Sequence, residues 1–337
     1  MKSKPDFADY VHTFFLKYLP LQRGLSRNTI SSYSYAFLLF YDFCRNVKKI
    51  RQDKLKFANI NKPLVEDFCI WLETKKHNSI STRNQRLAAI HSLFLYIQTE
   101  TIEQTALCRD ILEIPIKKMT KLPPTYLTVE ETTILLSMPD TNNKQGLRDL
   151  ALLLLLYDTG ARAQELIDLC VGDINFGKET TVKLFGKGNK TRVVPITPET
   201  AKILKWYMKK HMIDQVDQAI FVNRSKVKLT NMGITYILKK YVALAKKANP
   251  QLYKYPISPH MIRRSKGSHL IQGGVNIYYV RDFLGHASVV TTERYVRNNP
   301  EVIRKAIEKS SKSVNPECNF YNTNEKQTMM NFLKSFN

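Results

Sequence analysis

The stretch Phe283-Leu284-Gly285-His286-Ala287-Ser288-Val289-Val290-Thr291-Thr292-Glu293-Arg294-Tyr295 places an imidazole just after a glycine and a phenol nine residues later. Three earlier stretches supply complementary chemistry. Thr159-Gly160-Ala161-Arg162-Ala163-Gln164-Glu165-Leu166 carries one guanidinium, and Ser258-Pro259-His260-Met261-Ile262-Arg263 carries an imidazole and a second guanidinium. Between them, Lys187 stands between Gly186 and Gly188 in a segment running from Leu184 to Ile196. Two guanidiniums can grip a phosphate, a lysine and two imidazoles can move protons, and a phenol can attack. That inventory suffices to cut and rejoin a phosphodiester.

Local grammar places these groups. Ser258 followed by Pro259 has the form of a helix start, with a capping hydroxyl and a proline in the first turn. His260 and Arg263, three apart, then share a helical face beside free N–H groups that favour an anion. Arg162 follows Gly160, which can end the apolar helix before it. Glu165, three residues on, is placed to hold a guanidinium or an imidazole. Thr181–Phe185 and Thr191–Ile196 read as two strands joined by a Gly-rich turn, with Lys187 at its tip. Taken singly, each fragment also fits a blander role: a capped surface helix, an exposed Arg–Glu pair, a solvated turn, a half-buried tyrosine among 17. Their joint order carries the reading.

Arg162, Lys187 on a hairpin, His260-x-x-Arg263, Leu284-Gly285-His286 and then Tyr295 resemble, in order and spacing, the active site of the tyrosine recombinases, the phage integrase family. The resemblance covers nearly the whole chain. It implies that Tyr295 attacks the scissile phosphate to leave a 3′-phosphotyrosine and a free 5′-hydroxyl. Arg162 and Arg263 would hold the non-bridging oxygens, and Lys187 would protonate the departing oxygen. His260 would assist proton transfer, His286 would bind the phosphate, and Glu165 would orient the cluster. No cofactor or metal is implied. Arg264 and Lys266 follow Arg263 where the family often has a histidine and an apolar residue, and Arg297 stands where a histidine is frequent. A type IB topoisomerase shares this chemistry, and a DNA-binding module that has lost catalysis is the reading from another class.

The charge agrees with a polyanionic partner. The net charge of +23 divides as +9 over residues 1–124, +12 over 125–300 and +2 over 301–337, which excludes a basic tail as its source. Expected DNA contacts are Lys117, Lys118, Lys121, Lys190, Arg192, Arg264, Lys266 and Arg297. Cys44, Cys69, Cys108, Cys170 and Cys318 show neither CxxC nor metal spacing, and no secretory signal is apparent, so reduced thiols in the cytoplasm are expected. The apolar run from Leu150 to Leu156 is too short to span a bilayer and reads as a core helix.

The expected fold is mainly α with a small β-hairpin. Residues 1–114 form a helical core-binding domain, with helices over Phe7–Tyr18, after Ser26 or Asn28, near Asn61 and after Ser81. Residues 115–125, with three prolines and three lysines, read as a linker. Residues 126–310 form the catalytic domain, opening on the capping box Thr128-x-x-Glu131. Residues 311–337 form a tail in which Asn322 and Glu325 are spaced as a capping box, and Met329, Phe332, Leu333 and Phe336 line one helical face. The resemblance implies duplex DNA as partner, dimers on one site, tetramers when two sites meet, and room for accessory DNA-bending proteins.

Overall fold

The computed structural model describes residues 6–51, 55–119, 125–186, 188, 190–286, 288–297 and 334; of residues 294–297 it describes the backbone helix alone. Lys187, Lys121 and the tail helix therefore lie outside the described residues, Lys334 excepted. The chain divides into two compact units, residues 1–121 and 122–337.

The first unit is a helical bundle. Helix α1 (Phe7–Thr13) opens on a capping box between Asp6 and Asp9 and continues as a π-helical segment over Phe14–Gln22. Pro20 sits inside that segment, which closes with an i→i+5 bond from Arg23 N–H to the Tyr18 carbonyl (2.9 Å). Helix α2 (Arg27–Asp42) is capped by Ser26, α3 (Lys62–Thr74) by Asn61 with Pro63 in its first turn, and α5 spans Thr105–Leu112. Helix α4 (Ile80–Glu100) begins earlier than expected. Ser79, in extended conformation, accepts from Thr82 N–H, which leaves Ser81 inside the first turn. Phe14, Phe43, Phe68 and Phe94 are fully buried, and Phe40 meets Phe68 edge-on at 5.2 Å.

The start of the expected linker is fastened to this bundle. Arg83 donates to the Pro115 carbonyl (3.0 Å), Asn84 exchanges hydrogen bonds with the Lys117 backbone (2.9 and 3.2 Å), and Lys117 Nζ meets Glu73 at 2.8 Å. Lys117, expected free for DNA, is thus paired within its own unit. Lys118 is exposed.

The second unit packs helices around a buried α7 (Lys144–Asp158), whose Leu152, Leu155 and Leu156 are inaccessible to solvent. Before it lies α6 (Val129–Ser137), where Thr128 and Glu131 form both bonds of the expected capping box. After it come α8 (Ala163–Ile167), a three-stranded antiparallel sheet, α9 (Pro198–His211), α10 (Asn231–Ala248), α11 (Pro259–Gln272), α12 (Ile277–Leu284) and α13 (Val289–Arg297). The sheet runs β1 (Ile174–Phe176), β2 (Thr180–Phe185), β3 (Thr191–Pro195), with Ile174 opposite Val182 and Val182 opposite Val194. The hairpin expected from sequence is β2–β3. β1 adds a strand of three residues, too short to show alternation. No helix among the described residues is long and apolar enough to cross a membrane.

Candidate active site

Three helix beginnings carry the candidate residues: Arg162 precedes α8, His260 and Arg263 open α11, and His286 stands between α12 and α13. Each start follows from local sequence. Gly160 takes φ +56°, and a Cβ there would lie 2.7 Å from Leu284 Cδ2, so α7 ends sharply and the chain turns to present Arg162. Ser258 accepts from Met261 N–H to cap α11, with Pro259 in its first turn. Gly285, at φ +63°, closes α12 and turns the chain toward His286.

Glu165 is the hub. Its side chain is buried, and both carboxylate oxygens are doubly engaged. Oε1 accepts from Arg162 Nη1 (2.7 Å) and Arg192 Nη1 (3.0 Å), while Oε2 accepts from Arg162 N–H (2.9 Å) and Arg192 Nη2 (2.6 Å). Burial alone would raise its pKa, but the bonds from Arg192 and from the Arg162 backbone, with the charge of Arg192 and the Arg162 side-chain bond, hold it below the ordinary carboxylate value. Arg192, expected on the DNA surface, is instead turned inward on Glu165 and donates Nε–H to the Phe283 carbonyl (3.0 Å). It joins the sheet to the end of α12. Arg162 keeps 37% of its side chain exposed and reaches toward the Gly285 carbonyl (3.4 Å). The β2–β3 turn lies against the same pair, since a Cβ on Gly186 would sit 3.4 Å from Glu165 Oε1 and 3.7 Å from Arg162 Nη1. Lys190 is exposed at this turn.

Arg263 is wholly buried. It donates to the Gly160 carbonyl (2.7 Å) and to the Leu284 carbonyl, so one guanidinium ties the turn bearing Arg162 to the turn bearing His286. Lys266, also expected to face DNA, folds inward onto Asp158 (3.1 Å) and over the Tyr157 ring (5.0 Å). Arg264 is half-buried beside His260, and its charge acts on that imidazole.

Both imidazoles are held neutral. His260 keeps an exposed edge; partial desolvation, then the charges of Arg264, Arg263 and Arg162, lower its pKa. Burial, then Arg263, Arg162, His260 and Arg192, bring His286 down to about 4. These dependences place His260, His286, Arg162 and Arg263 in one electrostatic neighbourhood, positive enough to discourage a further proton and to attract an anion. Thr292 adds a contact that no sequence motif marks. It is fully buried, and its hydroxyl lies 2.9 Å from His286 Nδ1. Its spacing of six from His286 carries no recognisable signal. Tyr295 lies in α13, which packs on α11 and α12; its side chain and that of Arg297 are outside the described residues.

Residues 125–302 match the model of the phage integrase family, and residues 13–101 match the N-terminal SAM-like domain of phage integrases. The chain is 33% identical over 312 residues to a candidate integrase/recombinase, y4rC, of Sinorhizobium fredii, covering 92% of this chain and 93% of that one. It is 32% identical over 286 residues to the tyrosine recombinase XerC of Herpetosiphon aurantiacus, covering 83% and 88%. Among solved structures, the Tn1549 transposon integrase in complex with transposon right-end DNA superposes with a TM-score of 0.67 at 16% identity, covering 89% of this chain and 98% of that one.

Proposed function

The chain belongs to the phage integrase family and is a site-specific DNA recombinase; on that premise we propose that Tyr295 is the nucleophile and that Arg162, Lys187, His260, Arg263 and His286 form its phosphate site. The observation that carries this reading is that Arg263 ties the turn bearing Arg162 to the turn bearing His286, with α13 starting three residues after His286. The match of residues 13–101 favours a recombinase over a topoisomerase.

In the proposed step the Tyr295 oxygen bonds to phosphorus as the bond to the 5′ oxygen breaks. The phenolic proton leaves toward His260, and Lys187 protonates the departing 5′ oxygen. Arg162 offers an open guanidinium to a non-bridging oxygen. Arg263, engaged with two carbonyls, adds fixed positive charge close by. Preorganised donors of this kind act where transition-state charge develops and need no reorganisation. With the Thr292 hydroxyl donating to Nδ1, a neutral His286 presents Nε2–H as a donor. The phosphotyrosine retains the energy of the broken ester, so rejoining is the same step reversed.

Duplex DNA is the substrate in this reading. The first unit, with Lys118, contributes to recognition, and Lys190, Arg264 and Arg297 contact the backbone near the cut. We place the protein in the cytoplasm as an integrase or transposase of a mobile element, acting as dimers on single sites and tetramers in synapsis. The test is a nicked suicide duplex carrying the recombination site. The parent should accumulate a covalent protein–DNA adduct, and Tyr295→Phe should bind the duplex with similar affinity and form none. An adduct formed by the Phe variant would falsify the assignment.

A further inference from the structure

The turn that presents Arg162 is held by α11 at two points, and only one of them involves the candidate phosphate site. Arg263 grips the Gly160 carbonyl. One helical turn further along the same face, Lys266 Nζ reaches Asp158 Oδ1 at 3.1 Å. Asp158, the last residue of α7, is 6% exposed, and its other oxygen accepts from Thr197 N–H (2.7 Å) at the junction of β3 and α9. The Lys266 side chain is 15% exposed, with its stem along Gly160 and its ammonium over Tyr157. Asp158 therefore joins three elements just ahead of Arg162: α7, α11, and the start of α9, which follows the strand bearing Arg192.

A buried ion pair is a poor source of net stability, because desolvation offsets most of the attraction. Apolar packing could close α7 against α11 equally well. What a pair bonded on both carboxylate oxygens supplies is direction. It fixes the last carboxylate of α7 relative to α11, and through the Thr159–Ala161 turn it fixes where the next guanidinium stands. Thr159 stiffens that turn by donating to the Leu155 carbonyl (2.5 Å) and accepting from Ala161 N–H (3.2 Å).

We propose that Asp158 and Lys266 are positioning residues for DNA cleavage: their ion pair sets the Thr159–Ala161 turn so that Arg162 meets the scissile phosphate. This rests on the assignment of Arg162 to that phosphate. Misplacing a reacting group by about an ångström costs up to roughly a hundred-fold in rate, whereas DNA affinity, spread over many phosphate contacts, should barely move.

The test measures single-turnover adduct formation by the full chain on two nicked suicide duplexes. One is ordinary; the other carries a methylphosphonate at the scissile position, which removes the anionic oxygen that Arg162 would neutralise. Lys266→Met and Asp158→Asn should each cleave the ordinary duplex about ten- to a hundred-fold more slowly than the parent. On the methylphosphonate, both should come within about three-fold of the parent, as should Arg162→Ala, because less charge then develops for a preorganised donor to neutralise. Asp158→Asn keeps the side-chain shape and the acceptor for Thr197, so it remains informative should Lys266→Met fold poorly. Parental rates on the ordinary duplex, or equal losses on both duplexes, would overturn the proposal while leaving Arg162 in place if Arg162→Ala is impaired. Parental cleavage by Arg162→Ala would overturn the underlying assignment, and the proposal with it.

Discussion

Replacing Glu165 with glutamine should destabilise the second unit by about 3–5 kcal/mol at neutral pH. Each carboxylate oxygen receives one bond from Arg162 and one from Arg192. Whichever way the amide is turned, its NH2 group faces an arginine N–H on each residue. Two charge-assisted bonds are lost, each worth about 1.5–3 kcal/mol, and two guanidiniums are left without their counter-ion. For a unit of this size 1 kcal/mol corresponds to about 2–4 °C, so the midpoint should fall by about 6–20 °C. The chain has two tryptophans, Trp71 in the first unit and Trp206 in the second, so Trp206 fluorescence in a Trp71→Phe background reports the relevant transition. The pH dependence has a fixed sign. Glu165 has a depressed folded pKa, so its contribution is complete above the unfolded carboxylate pKa and disappears as pH falls through the folded value. Parent and variant should converge in acid. A loss below about 1 kcal/mol at pH 7, or a loss that persists unchanged in acid, would refute the view of Glu165 as an ionised hub.

Gly285→Ala places a Cβ 3.1 Å from Arg192 Nη1 at φ +63°, so it should cost about 1–3 kcal/mol and slow cleavage, measured by the same melts and adduct assay. His286 should titrate near pH 4 by NMR in the free protein, and its pKa should rise when phosphate or a DNA duplex supplies negative charge. Because its folded pKa is depressed, its contribution to stability is complete above about pH 6.5 and falls as pH drops toward about 4. Thr292→Val should lower the cleavage rate about ten-fold or more through loss of the His286 orientation, with Thr292→Ser largely restoring it; equal rates for Val and Ser would remove Thr292 from this role.

Much of the architecture was legible because helix starts write themselves locally. Asn61 with Pro63, Thr128 with Glu131 and Ser258 with Pro259 all cap the helices they were expected to begin. The Leu150–Leu156 run is a buried helix, and the hairpin of β2 and β3 stands where alternation and glycines placed it. Local signals failed where two serines competed, at Ser79 and Ser81, and where Ile174–Phe176 was too short to alternate. The candidate site was legible as an order of residue types, but the direction of its basic side chains was not. Nothing near Arg192 or Lys266 in the chain shows that each points inward, because their carboxylate partners stand 27 and 108 residues away. For the same reason the burial of Arg263 between two carbonyls is a property of three turns meeting, invisible in any one of them.

In the proposed mechanism one phenol, that of Tyr295, carries the DNA during strand exchange. The most direct measurement is to trap the adduct on a suicide duplex, digest protein and DNA, and map the nucleotide-bearing residue by mass spectrometry. The modification should lie on the peptide containing Tyr295, as a phosphodiester to a 3′ end. A nucleotide found on any of the other 16 tyrosines, or on a serine, would contradict it.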